Sequence, residues 1–273
     1  MHQLPLSNAD IQIRVLLAKD KHPIFISHTV HDYCNAIRCD LVKLCMTNGH
    51  LSYTDIIHKN VDKNATRHEI SEIINKFDIL RDYKMSILHL SVDYKQTSAA
   101  FNKIRADDFH YTIPNSVKYD LVIFDAINND SNIYTMNLLY IVHALLDSMK
   151  PGGSCLIKIR ELVHKPTLDA VYMLTSMFEK VSVFKPISSS AFTADKYLIC
   201  ERRTFKNVIK TSTFTCTTKQ IVSLIDCALP MIFVNRINEI NNMLGLVQLE
   251  AFDVAIESLH KRDYISHRNE LLH

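Results

Sequence analysis

At 273 residues, 47% hydrophobic and 22% charged, the chain has the composition of an ordinary globular protein with a substantial core, in one large domain or one domain with an appendage. Its net charge of +2 excludes recognition of nucleic acid by bulk charge, leaving only local clusters of Lys and Arg for that role. No apolar run reaches the ~18 residues that span a bilayer, and seven irregularly spaced cysteines point to reduced thiols rather than a disulfide framework.

The opening Met1-His-Gln-Leu-Pro-Leu6 carries neither the charged nor the apolar region of a signal peptide, so a cytoplasmic location without a membrane partner is expected. A strand-like run, Ile11 to Leu17, precedes a turn at Lys19 to Pro23. From Ser27 the spacing is helical: Val30, Tyr33, Cys34, Ile37, Leu41 and Leu44 share one face, Lys43 lies at its edge, and Gly49 ends the helix. Cys34, Cys39, Cys45 and His50 do not read as a zinc site, because Cys39 falls roughly 140° around the helix from Cys34. No metal is expected.

Residues 50–83 are polar, with a helix near Arg67 to Leu80. Thr66 is its cap, Glu69 stands three residues on, and Ile70, Ile73, Ile74 and Phe77 form the buried stripe. This helix reads as structural only. Met85 to Ser91 reads as a buried strand, and Asp93 to Ile104 as a short loop and helix.

The informative stretch begins at Tyr119-Asp-Leu-Val-Ile-Phe-Asp-Ala126, a strand ending in a carboxylate. A helical segment follows (Met136, Leu139, Val142, Leu146, Met149), then the break Pro151-Gly-Gly153, then the strand Ser154 to Ile159 with Lys158 in it. Strand, helix, turn and strand make a βαβ crossover with two parallel strands. Reactive groups lie at the carboxyl ends of such strands, where Asp125 and Lys158 stand. A helix over Pro166 to Phe178 and strands at Lys180 to Pro186 and Lys196 to Cys200 come next, the two strands joined by a loop, 187–195, long enough to carry function. Arg202, Arg203, Lys206 and Lys210 form a basic cluster, and helices are predicted at 218–229, 235–246 and 250–261. The expected division is an N-terminal helical extension (1–84), a core (85–204) and a C-terminal helical appendage (205–273).

Four segments in order, Asp120-Leu-Val-Ile-Phe-Asp125, Lys150-Pro-Gly-Gly-Ser-Cys-Leu-Ile-Lys158, Phe184-Lys-Pro-Ile-Ser-Ser-Ser190 and Ala194-Asp-Lys-Tyr-Leu-Ile199, resemble the second half of the FtsJ-like ribose 2'-O-methyltransferases. That family includes cap-methylating enzymes of many RNA viruses, coronaviruses among them. The resemblance implies a Rossmann-like α/β methyltransferase fold: a mostly parallel sheet with an antiparallel last hairpin and helices on both faces. It further implies S-adenosylmethionine as donor and RNA, capped RNA included, as acceptor, with the host cytoplasm as location if the protein is viral.

The family works with a lysine–aspartate–lysine–glutamate tetrad. By position Asp125 matches the aspartate, Lys158 the central lysine, Lys43 the first lysine, and Asp195 the glutamate, with Glu201 in reserve. A ribose hydroxyl must lose its proton as it attacks the methyl group, so Lys158 is expected neutral, its pKa lowered by Lys43. Ser91, Asp93 and Asp125 are the expected cofactor contacts, and Ser188, Ser189, Ser190, Arg202 and Arg203 the expected RNA contacts. The family's Gly-rich donor turn falls on Ser91 to Thr97, which has no glycine, and the interval from Ser91 to Asp125 is too short for the usual two strand–helix units. Two readings therefore stand side by side: an RNA 2'-O-methyltransferase, and an inactive module of the same fold that binds RNA or docks a replication protein.

Overall fold

The computed structural model describes residues 1–18, 29–48, 65–80, 84–90, 94–104, 107–111, 117–127, 130–204, 209–210 and 220–270. Its centre is a seven-stranded sheet. The parallel half comprises β3 (Ser86–Leu90), β4 (Asp108–His110), β5 (Tyr119–Asp125) and β6 (Met149–Ile159). β8 (Lys196–Arg203) inserts antiparallel between β6 and β7 (Phe178–Phe184), and β1 (His2–Gln3) closes that edge against β7. The strand order is β1-β7-β8-β6-β5-β3-β4, the expected α/β arrangement with an antiparallel hairpin.

Alternation along the strands divides the core in two. Val122 and Phe124 of β5 pack with α4 (Ser131–Ser148) and α5 (Lys165–Met177) on one face. Leu121 and Ile123 face α2 (Ala65–Phe77) and α3 (Tyr94–Asn102) on the other, among Ile70, Ile73, Ile74 and Phe101. Between β3 and β5 the chain has room for one strand–helix unit, α3 with β4.

The Pro151-Gly-Gly153 break, expected as a turn before the strand, lies within β6, where its pairing with β5 shifts register between Tyr119 and Leu121. Asp130 caps α4, accepting from the N–H groups of Asn132 and Ile133 at 2.8 and 3.0 Å. Gly152 sits at φ +70°, and a Cβ on Gly153 would come 3.1 Å from the Asp120 carbonyl oxygen. That close approach is why this irregular part of β6 needs glycines.

Three expectations outside the core are corrected. The segment expected as a helix at 218–229 holds the strand β10 (Gln220–Ile225), paired with β2 (Ile11–Ala18), which pairs in turn with β9 (Ile209–Lys210). Register shifts between Ile221 and Ser223 and between Ser223 and Ile225 disturb its alternation, so Ile221, Leu224 and Ile225 mimic helical spacing. Buried Asp169 of α5 fixes this strand by accepting from Ser223 Oγ at 2.6 Å and Leu224 N–H at 2.8 Å. The two helices expected at 235–246 and 250–261 are one, α6 (Met231–Glu270), because Gly245 marks a helix crossing rather than a stop. The N-terminal extension expected at 1–84, with its Ile11 to Leu17 strand present as β2, also supplies β1 to the central sheet before α1 (Thr29–Asn48). α1 packs on α6 through Cys34, Leu41, Cys45, Phe252 and Leu259.

Candidate active site

Parallel pairing sets Asp125 of β5 beside Lys158 of β6, and antiparallel pairing sets Lys158 beside Tyr197 of β8. Three functional side chains thus stand in a row at the carboxyl ends of the parallel strands. Asp125 turns the chain there, its Oδ1 accepting from the Ile127 N–H at 2.9 Å. From the layer above, α2 brings Glu69. Its Oε2 receives the Lys158 ammonium at 3.1 Å and the Tyr197 hydroxyl at 2.7 Å. Glu69 is 4% exposed, so this is a buried ion pair with hydrogen bonds satisfying the carboxylate.

The electrostatics follow from that geometry. Burial pulls the Lys158 pKa down, but Glu69, by charge and hydrogen bond, together with Asp125 and Asp195, outweighs it and holds the group above its ordinary value. These carboxylates favour the charged form of Lys158, against the expectation of a neutral one. Burial, with Glu69 and the other acids, raises the Tyr197 phenol as well. Lys185, just past the end of β7, behaves oppositely. Burial lowers it to about 8, against the pull of Asp195 and Glu69 and with the push of Lys158.

Of the expected catalytic residues, Asp125, Lys158 and Asp195 act on one another here. The Asp195 carboxylate also faces Arg160, with Nε 3.7 Å from Oδ1. Lys43 stands on the surface of α1, its side chain 74% exposed and its ammonium 3.0 Å from Asp40. The structure therefore gives Lys158 a carboxylate neighbour in Glu69 where a second lysine was expected. Glu201, the reserve, pairs with Lys180 across β7 and β8 at 2.6 Å.

The expected RNA contacts divide. Ser188 bonds Glu72 through its N–H and hydroxyl at 3.1 and 2.9 Å. Ser189 Oγ donates to the Pro186 carbonyl at 3.0 Å, and Ser190 Oγ accepts from Phe192 N–H at 3.3 Å. These serines shape the loop. Arg202 pairs with Glu179 at 2.7 Å on the surface. Arg203 is a correction: it is 6% exposed, and its guanidinium donates to the Leu145, Leu146 and Met149 carbonyls at the end of α4. It caps a helix and does not face a ligand.

Ser91 and Asp93, the expected cofactor contacts beside Asp125, lie outside the described residues. Among the described residues a pocket lies at the ends of β3, β5 and β6, lined by His89, Thr97, Phe124, Asp125, Lys158 and Tyr197 among others. It joins the expected donor side to Lys158. Its lining sets the apolar Ile70, Ile123 and Phe124 beside the Asp125 carboxylate and the Lys158 side chain. Among the described residues, no group of His, Cys, Asp and Glu is placed to hold a metal ion, and no helix is long and apolar enough to cross a membrane.

Glu69 was missed as a site residue because the Thr66–Glu69 spacing reads fully as a helix cap. The usable signal was its place beside Ile70 and Ile73 on the buried side of the helix, where a carboxylate needs a partner.

Comparison with known proteins bears on the same residues. The family model described as FtsJ-like methyltransferase matches residues 38–203. A cap-specific mRNA (nucleoside-2'-O-)-methyltransferase 1 of Danio rerio is 34% identical over 56 residues, 20% of this chain and 7% of that protein. A cap-specific mRNA (nucleoside-2'-O-)-methyltransferase of Autographa californica nuclear polyhedrosis virus is 32% identical over 56 residues, 20% of this chain and 21% of that protein. The matched segments are thus a minor part of both relatives. Among solved structures, Haemonchus contortus phosphoethanolamine N-methyltransferase 2 with S-adenosyl-L-methionine has a TM-score of 0.36 at 12% identity, over 55% of this chain and 40% of that one.

Proposed function

Because the chain belongs to the FtsJ-like methyltransferase family, we propose that it methylates the 2'-hydroxyl of a ribose in RNA, with S-adenosylmethionine as donor. The observation that carries this reading is Lys158, held at the carboxyl end of a parallel sheet among Glu69, Asp125 and Asp195. Capped RNA is the acceptor class favoured by the two cap-specific relatives, and a viral transcript is the narrower form favoured by the baculovirus one.

Bound S-adenosylmethionine would supply an electrophilic methyl group, with Asp125 and the apolar Phe124 side of the pocket as its holding residues. This chain's own residues then act on the hydroxyl. Lys158, charged and aimed by Glu69, donates a hydrogen bond to the ribose oxygen and stabilises the negative charge that grows as the O–H bond breaks. The hydroxyl proton would pass to a neighbouring carboxylate, for which Glu69 and Asp195 are the candidates, as the O–C bond forms and the donor's C–S bond breaks to leave a neutral thioether. Tyr197 keeps Glu69 oriented throughout.

A second reading, a non-catalytic module of the same fold, is favoured by the absence of glycine from Ser91 to Thr97 and, among the described residues, by one strand–helix unit between β3 and β5. The test is methyl transfer to capped RNA by wild type and Lys158→Ala, with calorimetric titration of the donor into both. Transfer lost in the variant with donor binding retained supports the enzyme. An absence of donor binding at millimolar concentration retires it in favour of the module.

A further inference from the structure

A second cavity lies on the other side of the β7–β8 connection, walled by α1, α6 and the segment after β6. Its polar lining includes Lys185, Lys196, Asn241, Asn242 and Gln248, with His31 and Thr193 beside them, and Glu161 is the one carboxylate among its described lining residues. Lys196 is 5% exposed. Cations of this kind are seldom buried in a cavity wall without a counter-charge. Lys185 directs ammonium donors to the Thr193 and Asp195 carbonyls at 2.8 and 3.0 Å, and Lys196 directs one to the Arg160 carbonyl. An ammonium has three donors, so each retains capacity toward the cavity.

The carboxamides are held ready too. Asn241 donates to the Leu162 carbonyl at 2.8 Å and Gln248 to that of Phe192 at 2.9 Å, fixing both on one face of α6. Asn242 beside them is exposed. The cavity is joined to the Lys158 cluster through one residue, Asp195: its carbonyl binds Lys185 and its carboxylate acts on Lys158.

We propose that this cavity binds a phosphate group of the RNA next to the acceptor ribose, with Lys185 and Lys196 as the cationic contacts. The proposal rests on the RNA reading above. In it the cavity fixes the RNA backbone so that the 2'-hydroxyl meets Lys158. Burial holds both lysines down to about 8, Lys196 with a further push from Lys185. Asp195 acts on both lysines, with Glu69 on Lys185 and Glu161 on Lys196, yet burial outweighs them, and a bound phosphate adds the further negative charge that favours the ammonium forms.

The test is fluorescence titration of a short RNA oligonucleotide at several salt concentrations, with inorganic phosphate as competitor. Three proteins are compared: wild type, Lys196→Gln, and Asn242→Asp, which adds a negative charge to the exposed rim and leaves the lysine–carbonyl bonds in place. Expected is about tenfold weaker binding in each variant, with the salt slope lowered by about 1 for Lys196→Gln. Competition by millimolar phosphate would show that any phosphate fills the cavity; its absence alongside weakened RNA binding would assign it to the RNA backbone, and either supports the site. Unchanged affinity and slope in a folded Asn242→Asp protein, or no RNA binding by wild type, overturns it. Absence of methyl transfer by wild type, with these binding effects intact, counts against the enzyme reading and leaves the phosphate site standing.

Discussion

The Lys158 ammonium lies 3.1 Å from the Glu69 carboxylate, although the two residues are 89 positions apart and reach each other from a strand and from the helix packed over it. Both are largely buried, at 19% and 6% side-chain exposure. The contact therefore sets the charge state of the site rather than decorating its surface.

Replacing Glu69 by Gln keeps an acceptor for the Tyr197 hydroxyl and removes the charge. The Lys158 titration midpoint should fall, because burial is then opposed by Asp125 and Asp195 alone. NMR of the lysine side chains reads this directly, and an unmoved midpoint would show that Glu69 is not the governing charge. The substitution should cost about 1–3 kcal/mol near neutral pH, from urea denaturation. The sign is fixed by linkage: a lysine whose folded pKa is raised stabilises fully below its ordinary value, and loses that contribution as pH rises through the folded one. Wild type and variant should therefore converge in strong alkali.

That pair marks where sequence reading stops. The β5–α4–β6 crossover, with Asp125 and Lys158 at its carboxyl ends, was legible because each step is local: a strand, a helical period, a Pro-Gly-Gly break. Glu69 was not, because its partner is chosen by how α2 packs over the sheet. β10 was misread because its register shifts place buried residues at helical spacing. Arg203 sat in a run of basic residues that looked like one surface, and only the end of α4 over it shows that it faces inward. Lys43 was expected as the family's first lysine, while its helix lies against α6 with the side chain in solvent.

Lys196 gives a prediction of opposite sign to that of Lys158. Its folded pKa of about 8 lies below the ordinary lysine value of 10.5. Between those values the unfolded chain binds the extra proton, so stability from this group should rise with pH from about 8 to 10. Glu161, Asp195 and Lys185 are the charges that face it. Denaturation midpoints at pH 7, 8.5 and 9.5 should climb less in Lys196→Met than in wild type. Parallel pH profiles would mean that the buried ammonium is not the source.

Arg203→Met should destabilise by about 2–4 kcal/mol, because three carbonyls at the end of α4 lose a charged donor in a buried place. RNA affinity of the folded fraction should stay within a factor of two of wild type. A fall in RNA affinity with a smaller salt slope would instead restore this arginine to the binding surface. Arg202→Ala is the companion, since its guanidinium is on the surface against Glu179. That exposed pair should contribute under about 1 kcal/mol to stability.

The crossing of α1 over α6 can be tested at one point of contact. A Cβ added at Gly245 would stand 2.3 Å from Cγ1 of Val30, and valine is stiff at χ1, so it cannot swing aside without moving backbone. The Cys34 thiol, 3.6 Å from the Gly245 carbonyl, holds the same approach. Gly245→Ala should therefore cost about 1–3 kcal/mol by overpacking, in spite of alanine's better helix propensity. Val30→Ala removes the clashing methyl groups, so the double variant should recover most of the loss while Val30→Ala alone is mildly destabilising. A double-mutant cycle by urea denaturation measures this coupling. Additive effects would mean that the helices do not meet at these two residues. Favourable coupling would place α6 firmly on α1, and with it the carboxamide wall that the phosphate cavity requires.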